Sequence, residues 1–310
     1  MNSPEKKWRM VIFTSQDIGF QLVDHLTRRD DIDLFVVTNR TARDDSYFYR
    51  SAIDVCERSG TPFVKTGRVD ADLILKLAAF KPDLIVSAYY PHIIPKAAQC
   101  ASKSPAVNVH PGLLPRYRGK FPTPWYILNG EAEFGMAIHR LDGGIDTGDV
   151  LIQAKYPIAA DETGHGLYRK TMDHGAALLI ENIDALLRNS LPAAPQEGVG
   201  TYYSSIEKRF QIDWNMTCES IRRRIRVHAK PYFPAYTFLL NHMISINRAS
   251  LCNHTTFSAQ GGGFILKVEE DGKFAVSCCD GCLLIEEYEV CPSCTPEVWP
   301  RLLRVGSRCD

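Results

Sequence analysis

The chain has 310 residues, of which 45% are hydrophobic and 23% charged, a composition typical of folded globular proteins that excludes an intrinsically disordered chain. Lysine plus arginine and aspartate plus glutamate number 36 each, which argues against a function that needs a broadly basic surface. No apolar run reaches the roughly 20 residues of a membrane span, and residues 1–10 lack the apolar core of a signal peptide. We therefore expect a cytoplasmic protein with no membrane partner.

Strand and helix patterns alternate in the first half of the chain. Short apolar runs predict strands at 9–13, 34–37, 61–64 and 84–88. Runs with apolar residues three to four positions apart predict helices at 18–26, 46–57 and 73–80. Such alternation is typical of right-handed βαβ units, so we expect an α/β domain with a mostly parallel, Rossmann-like sheet.

The middle of the chain departs from this alternation. A predicted strand at 106–110 is followed by a loop rich in Gly, Pro and Arg, by strands at 135–141 and 150–157, and by one long helix that includes 179–187. The Pro/Gly/Ala-rich segment Ser190–Gly200 is predicted to be a linker. We accordingly place a catalytic domain at 1–200 and a second domain at 201–310.

The last hundred residues show a third pattern, one helix followed by several short strands. A helix is predicted at 217–228, and short strands follow at 235–239, 244–249, 264–268, 274–278 and 283–290, separated by glycine-containing turns. This pattern predicts a small β-rich, OB-like barrel.

Polar residues whose side chains can take part in catalysis cluster around the predicted strand at 106–110. Asn108 and His110 are two residues apart, so both side chains project to the same face of the strand. They lie at the carboxyl end of the predicted sheet, where open α/β sheets bind ligands. An amide beside an imidazole suits a developing oxyanion and a proton in transit, and Asp146 is a carboxylate that can orient the imidazole. From spacing alone, a structural Asn–His pair remains the more frequent explanation.

Two segments resemble the signature of the folate-dependent formyltransferases. They are Asn108–Gly130 and Gly135–Gln153, and Phe210–Phe238 resembles the second domain of the methionyl-tRNA and aminosugar members. The resemblance implies the formyltransferase fold and an enzyme that transfers the formyl group of 10-formyltetrahydrofolate to an amine. Two residues depart from the family pattern: Gly112 stands where Ser is usual, and Ala137 where Thr is common.

The resemblance also assigns roles to residues. It implies that Asn108 and a protonated His110 stabilise the oxyanion formed when the amine attacks the formyl carbon. His110 would pass a proton to the departing folate nitrogen, and Asp146 would raise the His110 pKa and relay the amine proton. The cofactor contacts that it implies are His92, Ile93, Ile94, Lys120, Asp142, Gly143, Gly144 and Ile145. For Tyr89 and Tyr90, contact with the cofactor and ordinary core packing are equally acceptable explanations.

Three features favour an aminosugar, as a nucleotide-linked 4-amino-4-deoxy sugar, over tRNA as the acceptor. The loop at 39–45 lacks the basic insertion typical of methionyl-tRNA formyltransferases. Tyr47–Tyr49, Ser87–Tyr90 and Lys230–Ala235 resemble the formyltransferase half of the lipid A aminoarabinose enzyme, which implies lipopolysaccharide biosynthesis. Ser204–Asp310 carries 13 lysines and arginines against 12 aspartates and glutamates, little surplus for phosphate contacts.

Other interpretations stay open at this point. Four arginines on one predicted helix are either a phosphate-binding face, for tRNA or a nucleotide diphosphate, or a solvated surface, which we favour; they are Arg222, Arg223, Arg224 and Arg226. Methionyl-tRNA formyltransferase is the main alternative. A hydrolase or a hydroxyornithine-type acceptor also fits the resemblance, as does a folate-binding module without turnover. The resemblance allows a homodimer.

Eight of the ten cysteines lie beyond residue 215. Two CxxC pairs, Cys279/Cys282 and Cys291/Cys294, are arranged like the ligands of a structural zinc ion, although their separation is shorter than usual. Free thiols are the alternative that we favour. No metal is expected at the catalytic site.

Overall fold

The computed structural model describes residues 7–39, 50–252, 261–291 and 299–310. Its contacts divide the chain into two compact units. The first comprises 1–122, 133–157 and 169–204, and the second comprises 123–132, 158–168 and 205–310. The predicted linker at 190–200 thus belongs to the first unit, and the domain limits of 1–200 and 201–310 stay a proposal. The segments Arg40–Asp45 and Tyr47–Tyr49 lie outside the described residues.

A seven-stranded sheet forms the centre of the first unit. Its strands are β1 (Trp8–Thr14), β2 (Ile32–Thr38), β3 (Phe63–Lys65), β4 (Leu84–Ala88), β5 (Val107–His110), β7 (Glu133–Arg140) and β8 (Val150–Pro157). They lie in the order β3-β2-β1-β4-β5-β7-β8. The first five run parallel, whereas β7 and β8 are antiparallel to their neighbours. The predicted mostly parallel sheet is confirmed, with an antiparallel edge.

Helices connect these strands, and capping residues in the sequence mark the start of one and the end of another. They are α1 (Gln16–Leu26), α2 (Ala52–Ser59), α3 (Ala71–Phe80), α4 (Lys96–Gln99), α5 (Thr123–Asn129) and α6 (Gly164–Leu187). Asp70 caps α3 by accepting a hydrogen bond from Leu73 N, and Gly60 ends α2 in the left-handed conformation that glycine adopts without strain. Residues 10–14 of β1 and all of β4 are buried, and Leu77 of α3 lies in the same core cluster as residues of both strands.

A second, smaller pairing lies beside the sheet. The strands β6 (Arg118–Gly119) and β9 (Tyr202–Tyr203) run parallel to each other, although 84 residues separate them in the chain. This pairing joins the loop after β5 to the residues that follow the predicted linker.

An antiparallel sheet forms the core of the second unit. The order of its strands is β10 (Ala235–Leu239), β11 (His242–Cys252), β14 (Cys282–Val290), β13 (Phe274–Ser277) and β12 (Ile265–Val268). The chain end bridges the two edge strands, since Cys309 pairs with Leu239 and Arg308 with Phe264. The helices are α7 (Cys218–His228), capped by Thr217, and α8 (Trp299–Leu302). The predicted β-rich, barrel-like domain is confirmed.

None of the helices in the described part of the chain is long and apolar enough to cross a membrane.

Candidate active site

Strand β5 places Asn108 and His110 on one face at its carboxyl end. Asn108 lies opposite His139 of β7, and His110 lies opposite Ala137. The small side chain of Ala137, which stands where the family commonly has Thr, is therefore the direct cross-strand neighbour of the buried His110 ring. The prediction that Asn108 and His110 share a face agrees with this register.

The loop between β7 and β8 brings Asp146 to the same place. Its Oδ1 accepts a hydrogen bond from Asn108 Nδ2 at 3.4 Å, and its Oδ2 lies 3.6 Å from His110 Nδ1. The backbone N–H of Gly119, on β6, donates to Oδ2 at 2.9 Å. The structure thus brings the three predicted catalytic residues together, while their roles in catalysis stay predictions.

A second histidine belongs to this cluster and was missed by the sequence analysis. His139 is 1% exposed, and its Nε2 lies 3.3 Å from Asp146 Oδ1 and 3.2 Å from Asn108 Nδ2. Its Nδ1 lies 2.9 Å from the carbonyl oxygen of Arg140, a pure acceptor, so Nδ1 carries a proton. The available signal was a histidine that follows four apolar or glycine residues in a predicted strand.

Burial and charge act in opposite directions on His110 and Asp146. Burial is the largest influence on His110 and lowers its pKa, and His139 lowers it further, against the opposing effects of Asp146 and Tyr117 O. Burial also disfavours the charged form of Asp146, but His110, His139 and the Gly119 N–H together hold that pKa well below its usual range. Asp146 does raise the His110 pKa, as expected, but burial outweighs this effect, so the net shift is downward and disfavours the expected protonated form of His110.

The departure at Gly112 has a steric explanation. His110 Nε2 donates a hydrogen bond to the carbonyl oxygen of Tyr117 at 2.7 Å. A Cβ atom at position 112 would lie 2.6 Å from Nε2 and 2.7 Å from that carbonyl oxygen. Both distances are too short for real contacts, so the observed His110 orientation requires glycine at this position.

The predicted cofactor residues fall into an exposed and a buried group. His92, Ile93 and Lys120 are exposed, with Ile93 at 83%. Ile94 instead packs in the core, and its carbonyl oxygen accepts a hydrogen bond from Gln99 at 2.8 Å, so its side chain is not available to a ligand. Tyr90 is also a core residue.

The loop that carries Asp146 supplies the remaining predicted contacts. Asp142, Gly143, Gly144 and Ile145 are all exposed. The Asp142 carboxylate accepts hydrogen bonds from Gly144 N at 2.9 Å and Thr147 Oγ1 at 2.8 Å. Asp142 therefore shapes the loop, while Ile145, 59% exposed, offers an apolar surface next to Asp146.

The proposed four-cysteine zinc site does not fit the structure. Cys282 forms a disulfide with Cys252, its cross-strand partner, and a disulfide sulfur is not a thiolate ligand. Cys279 carries a free thiol, and Cys294 lies outside the described residues. Within the described ranges, no group of three or more His, Cys, Asp or Glu side chains is arranged to hold a metal ion.

Comparison with known proteins agrees with this fold. Solved structures with a similar fold include WlaRD, a sugar 3N-formyl transferase (TM-score 0.70, 22% identity, 91% of this chain and 97% of that one). Another is the N-formyltransferase from Helicobacter canadensis (TM-score 0.71, 21% identity, 91% and 100%). Among sequence relatives, methionyl-tRNA formyltransferase from Citrifermentans bemidjiense is 35% identical over 76% of this chain and 73% of its own. The corresponding protein of Legionella pneumophila is 33% identical over 69% and 68%.

Family assignment covers both units. Residues 10–183 match the family described as formyl transferase, and residues 205–299 match the formyl transferase C-terminal domain. The chain belongs to the formyl transferase family, and the prediction of an enzyme of this family is confirmed.

Proposed function

We propose that the protein transfers the formyl group of 10-formyltetrahydrofolate to the amine of a nucleotide-linked 4-amino-4-deoxy sugar. The cluster of Asn108, His110 and Asp146 is the observation that carries formyl transfer. Asp146, whose pKa lies below the usual range, is a carboxylate at neutral pH and accepts a proton from the attacking amine. The Asn108 amide donates to the oxygen that gains negative charge.

His110 acts from its neutral form. Because Nε2–H donates to Tyr117 O, the nitrogen that remains to exchange a proton is Nδ1, which faces Asp146. A proton taken up by Asp146 can pass to Nδ1 and from there toward the departing nitrogen of the donor. The exposed Ile93 and Ile145 side chains support binding of a flat aromatic ring such as the pterin of the donor.

The partners of the α7 arginines support a small acceptor over tRNA. Four arginines lie on this helix: Arg222, Arg223, Arg224 and Arg226. Glu219 accepts hydrogen bonds from the first two, Glu207 from the third, and the backbone carbonyl of Ala160 from the fourth. These guanidinium groups already have partners within the second unit, which leaves few donors for phosphates.

The similar fold of WlaRD, which was solved in the presence of dTDP and 5-N-formyl-THF, supports both the donor class and a nucleotide-linked acceptor. The H. canadensis enzyme was solved with folinic acid and dTDP-3-aminofucose, so the position of the amine needs testing. The competing candidate is methionyl-tRNA formyltransferase, which the 35% identity to the C. bemidjiense protein favours. A module without turnover is disfavoured by the intact cluster. The cytoplasmic location, the homodimer and the role in lipopolysaccharide biosynthesis stay predictions.

A panel of acceptors tests the proposal. Purified protein is assayed with 10-formyltetrahydrofolate and, one at a time, TDP- and UDP-linked 4-amino and 3-amino sugars and initiator Met-tRNA. We expect turnover with a 4-amino sugar nucleotide. Turnover with the tRNA alone would overturn the acceptor assignment, and absence of turnover with every acceptor would overturn formyl transfer to an amine.

A further inference from the structure

We propose that Gln196 is a positioning residue for formyl transfer, which holds the backbone of the Asp146 loop so that the carboxylate faces its partners. This inference rests on the proposed function. Gln196 lies in the first unit, on the segment that leads to β9. Its Nε2 donates to the carbonyl oxygen of Asp146 at 2.9 Å and to that of Gly148 at 2.7 Å. One amide group thus ties both sides of the loop.

The Asp146 backbone needs such support. Its φ angle of 54° lies in the left-handed region, which residues with a Cβ atom rarely adopt without stabilising contacts. A relaxed backbone would turn the side chain away from the cluster. The two hydrogen bonds from Gln196 hold the peptide carbonyls on either side of Thr147 and so favour the observed conformation.

The other end of the Gln196 amide holds the strand that faces Asp146. Its Oε1 accepts from Arg118 Nε at 3.0 Å and from Arg118 Nη2 at 2.6 Å. The next residue, Gly119, provides the N–H that binds Asp146 Oδ2. The same amide therefore fixes the loop that carries the carboxylate and the strand that supplies its hydrogen-bond donor.

Pairing between β6 and β9 reinforces this arrangement. Arg118 N donates to Thr201 O at 2.9 Å, and Lys120 N donates to Tyr203 O at 3.0 Å. The Tyr117 ring stacks on the Tyr203 ring with centroids 4.9 Å apart. Since Tyr117 O accepts from His110 Nε2, the segment that carries Gln196 supports the position of both His110 and Asp146.

The hydrogen-bonding capacity of Gln196 determines how its amide is oriented. An amide has two N–H donors and an oxygen with two lone pairs, and all four are used here. In a flipped amide, the N–H groups would face the N–H groups of the Arg118 guanidinium, and the amide oxygen would face the carbonyl oxygens of Asp146 and Gly148. The orientation therefore depends on glutamine, and a glutamate would place a second oxygen against the Asp146 and Gly148 carbonyls.

Two substitutions and a control test the inference. Gln196→Glu keeps the acceptor for Arg118 and removes the donors, whereas Gln196→Met keeps the length and removes every hydrogen bond. Gln211→Glu, at an exposed position of the second unit, is the control. For each we measure kcat, the KM for the donor, Tm, and the His110 pKa by NMR of protein with ¹³C-labelled histidine.

We expect both Gln196 variants to lose about 30- to 100-fold in kcat, because a misplacement of about 1 Å has that effect, with KM changed by less than about threefold. In Gln196→Met the His110 pKa should fall further, since Asp146 no longer supports the charged form. Variants with kcat within about threefold of wild type and an unchanged His110 pKa would overturn the inference. The inference would also be overturned if the loss of kcat disappeared when each variant was assayed at a temperature lowered by the same amount as its Tm. The NMR titration needs no acceptor, so a failure of the proposed acceptor chemistry is distinguishable from a failure of positioning.

Discussion

His139 Nε2 lies 3.3 Å from Asp146 Oδ1, while His110 Nδ1 lies 3.6 Å from the other oxygen of the same carboxylate. Two imidazoles thus flank one buried carboxylate, with their ring centroids 6.1 Å apart. This arrangement keeps Asp146 ionised, and the neighbouring His139 contributes to the lowered pKa of His110.

Asp146→Asn removes the charge and keeps the size of the side chain. We expect kcat to fall by at least about a hundredfold, since the carboxylate is the only group proposed to take the amine proton, with the fold retained. Formyl transfer and circular dichroism are measured on the same preparation. Asp30→Asn, at an exposed position, is the control. An Asp146→Asn enzyme with near-normal turnover would remove Asp146 from the mechanism.

His139→Gln should raise the His110 pKa toward its ordinary value, because His139 is one of the groups that lower it. We also expect kcat to decrease about tenfold, since Asp146 loses a contact that orients one oxygen. NMR titration of His110 in both proteins provides the check. A His110 pKa that falls, or stays the same, would contradict the described coupling.

Gly112→Ala places a Cβ atom where His110 Nε2 and Tyr117 O now meet. The ring must move, so we expect a decrease in kcat of about 10- to 100-fold. Gly112→Ser introduces the residue usual in the family and should have a similar effect in this chain. Activity equal to wild type in both variants would show that the His110–Tyr117 hydrogen bond is dispensable.

Asp17 should control part of the acid stability. Burial favours its neutral form, but hydrogen bonds from Arg50 and Gln21 and the Arg50 charge together outweigh burial and lower the Asp17 pKa to about 2. Because the folded pKa lies below the unfolded one, the stabilisation is complete above about pH 4 and is lost as the pH falls toward 2. Asp17→Asn should therefore reduce the free energy of unfolding by about 2 kcal/mol at pH 7 and by much less at pH 2.5.

Urea unfolding at pH 7, 4 and 2.5 measures this difference. Asp24→Asn is the matched control, since Asp24 lies on the same helix as Asp17 and pairs with the exposed Arg28 just beyond the helix end, a contact of small expected value. Equal pH dependence in the Asp17 variant and the wild type would refute the assignment.

Local patterns predicted the regular elements well. The runs that became β1 and β4 are apolar over at least three consecutive residues, and Gly60 marks the end of α2. The pairing of β6 with β9 was not predicted, because each strand has two residues and the partners are far apart in the chain. The bridges of residues 308–309 to β10 and β12 have no local signal either.

The site was predicted only in part, because contacts between residues far apart in the chain leave no local signal in the sequence. Strand alternation was enough to place Asn108 and His110 together, while Asp146 was a candidate carboxylate to which the family resemblance gave a catalytic role. His139 and Gln196 were missed, because their contacts depend on an antiparallel register and on a contact about 50 residues along the chain. The net direction of the His110 pKa could not be predicted, since it depends on the depth of burial.

The most direct test of the central claim is a competition for one labelled donor. The wild-type protein is incubated with [¹⁴C]formyl-labelled 10-formyltetrahydrofolate, a TDP-linked 4-amino-4-deoxy sugar and initiator Met-tRNA at equal concentrations, with Asp146→Asn as the blank. We predict that the label appears in the sugar nucleotide and that the blank incorporates at most about a hundredth as much. Label in the tRNA instead, or equal incorporation by the blank, would contradict the account.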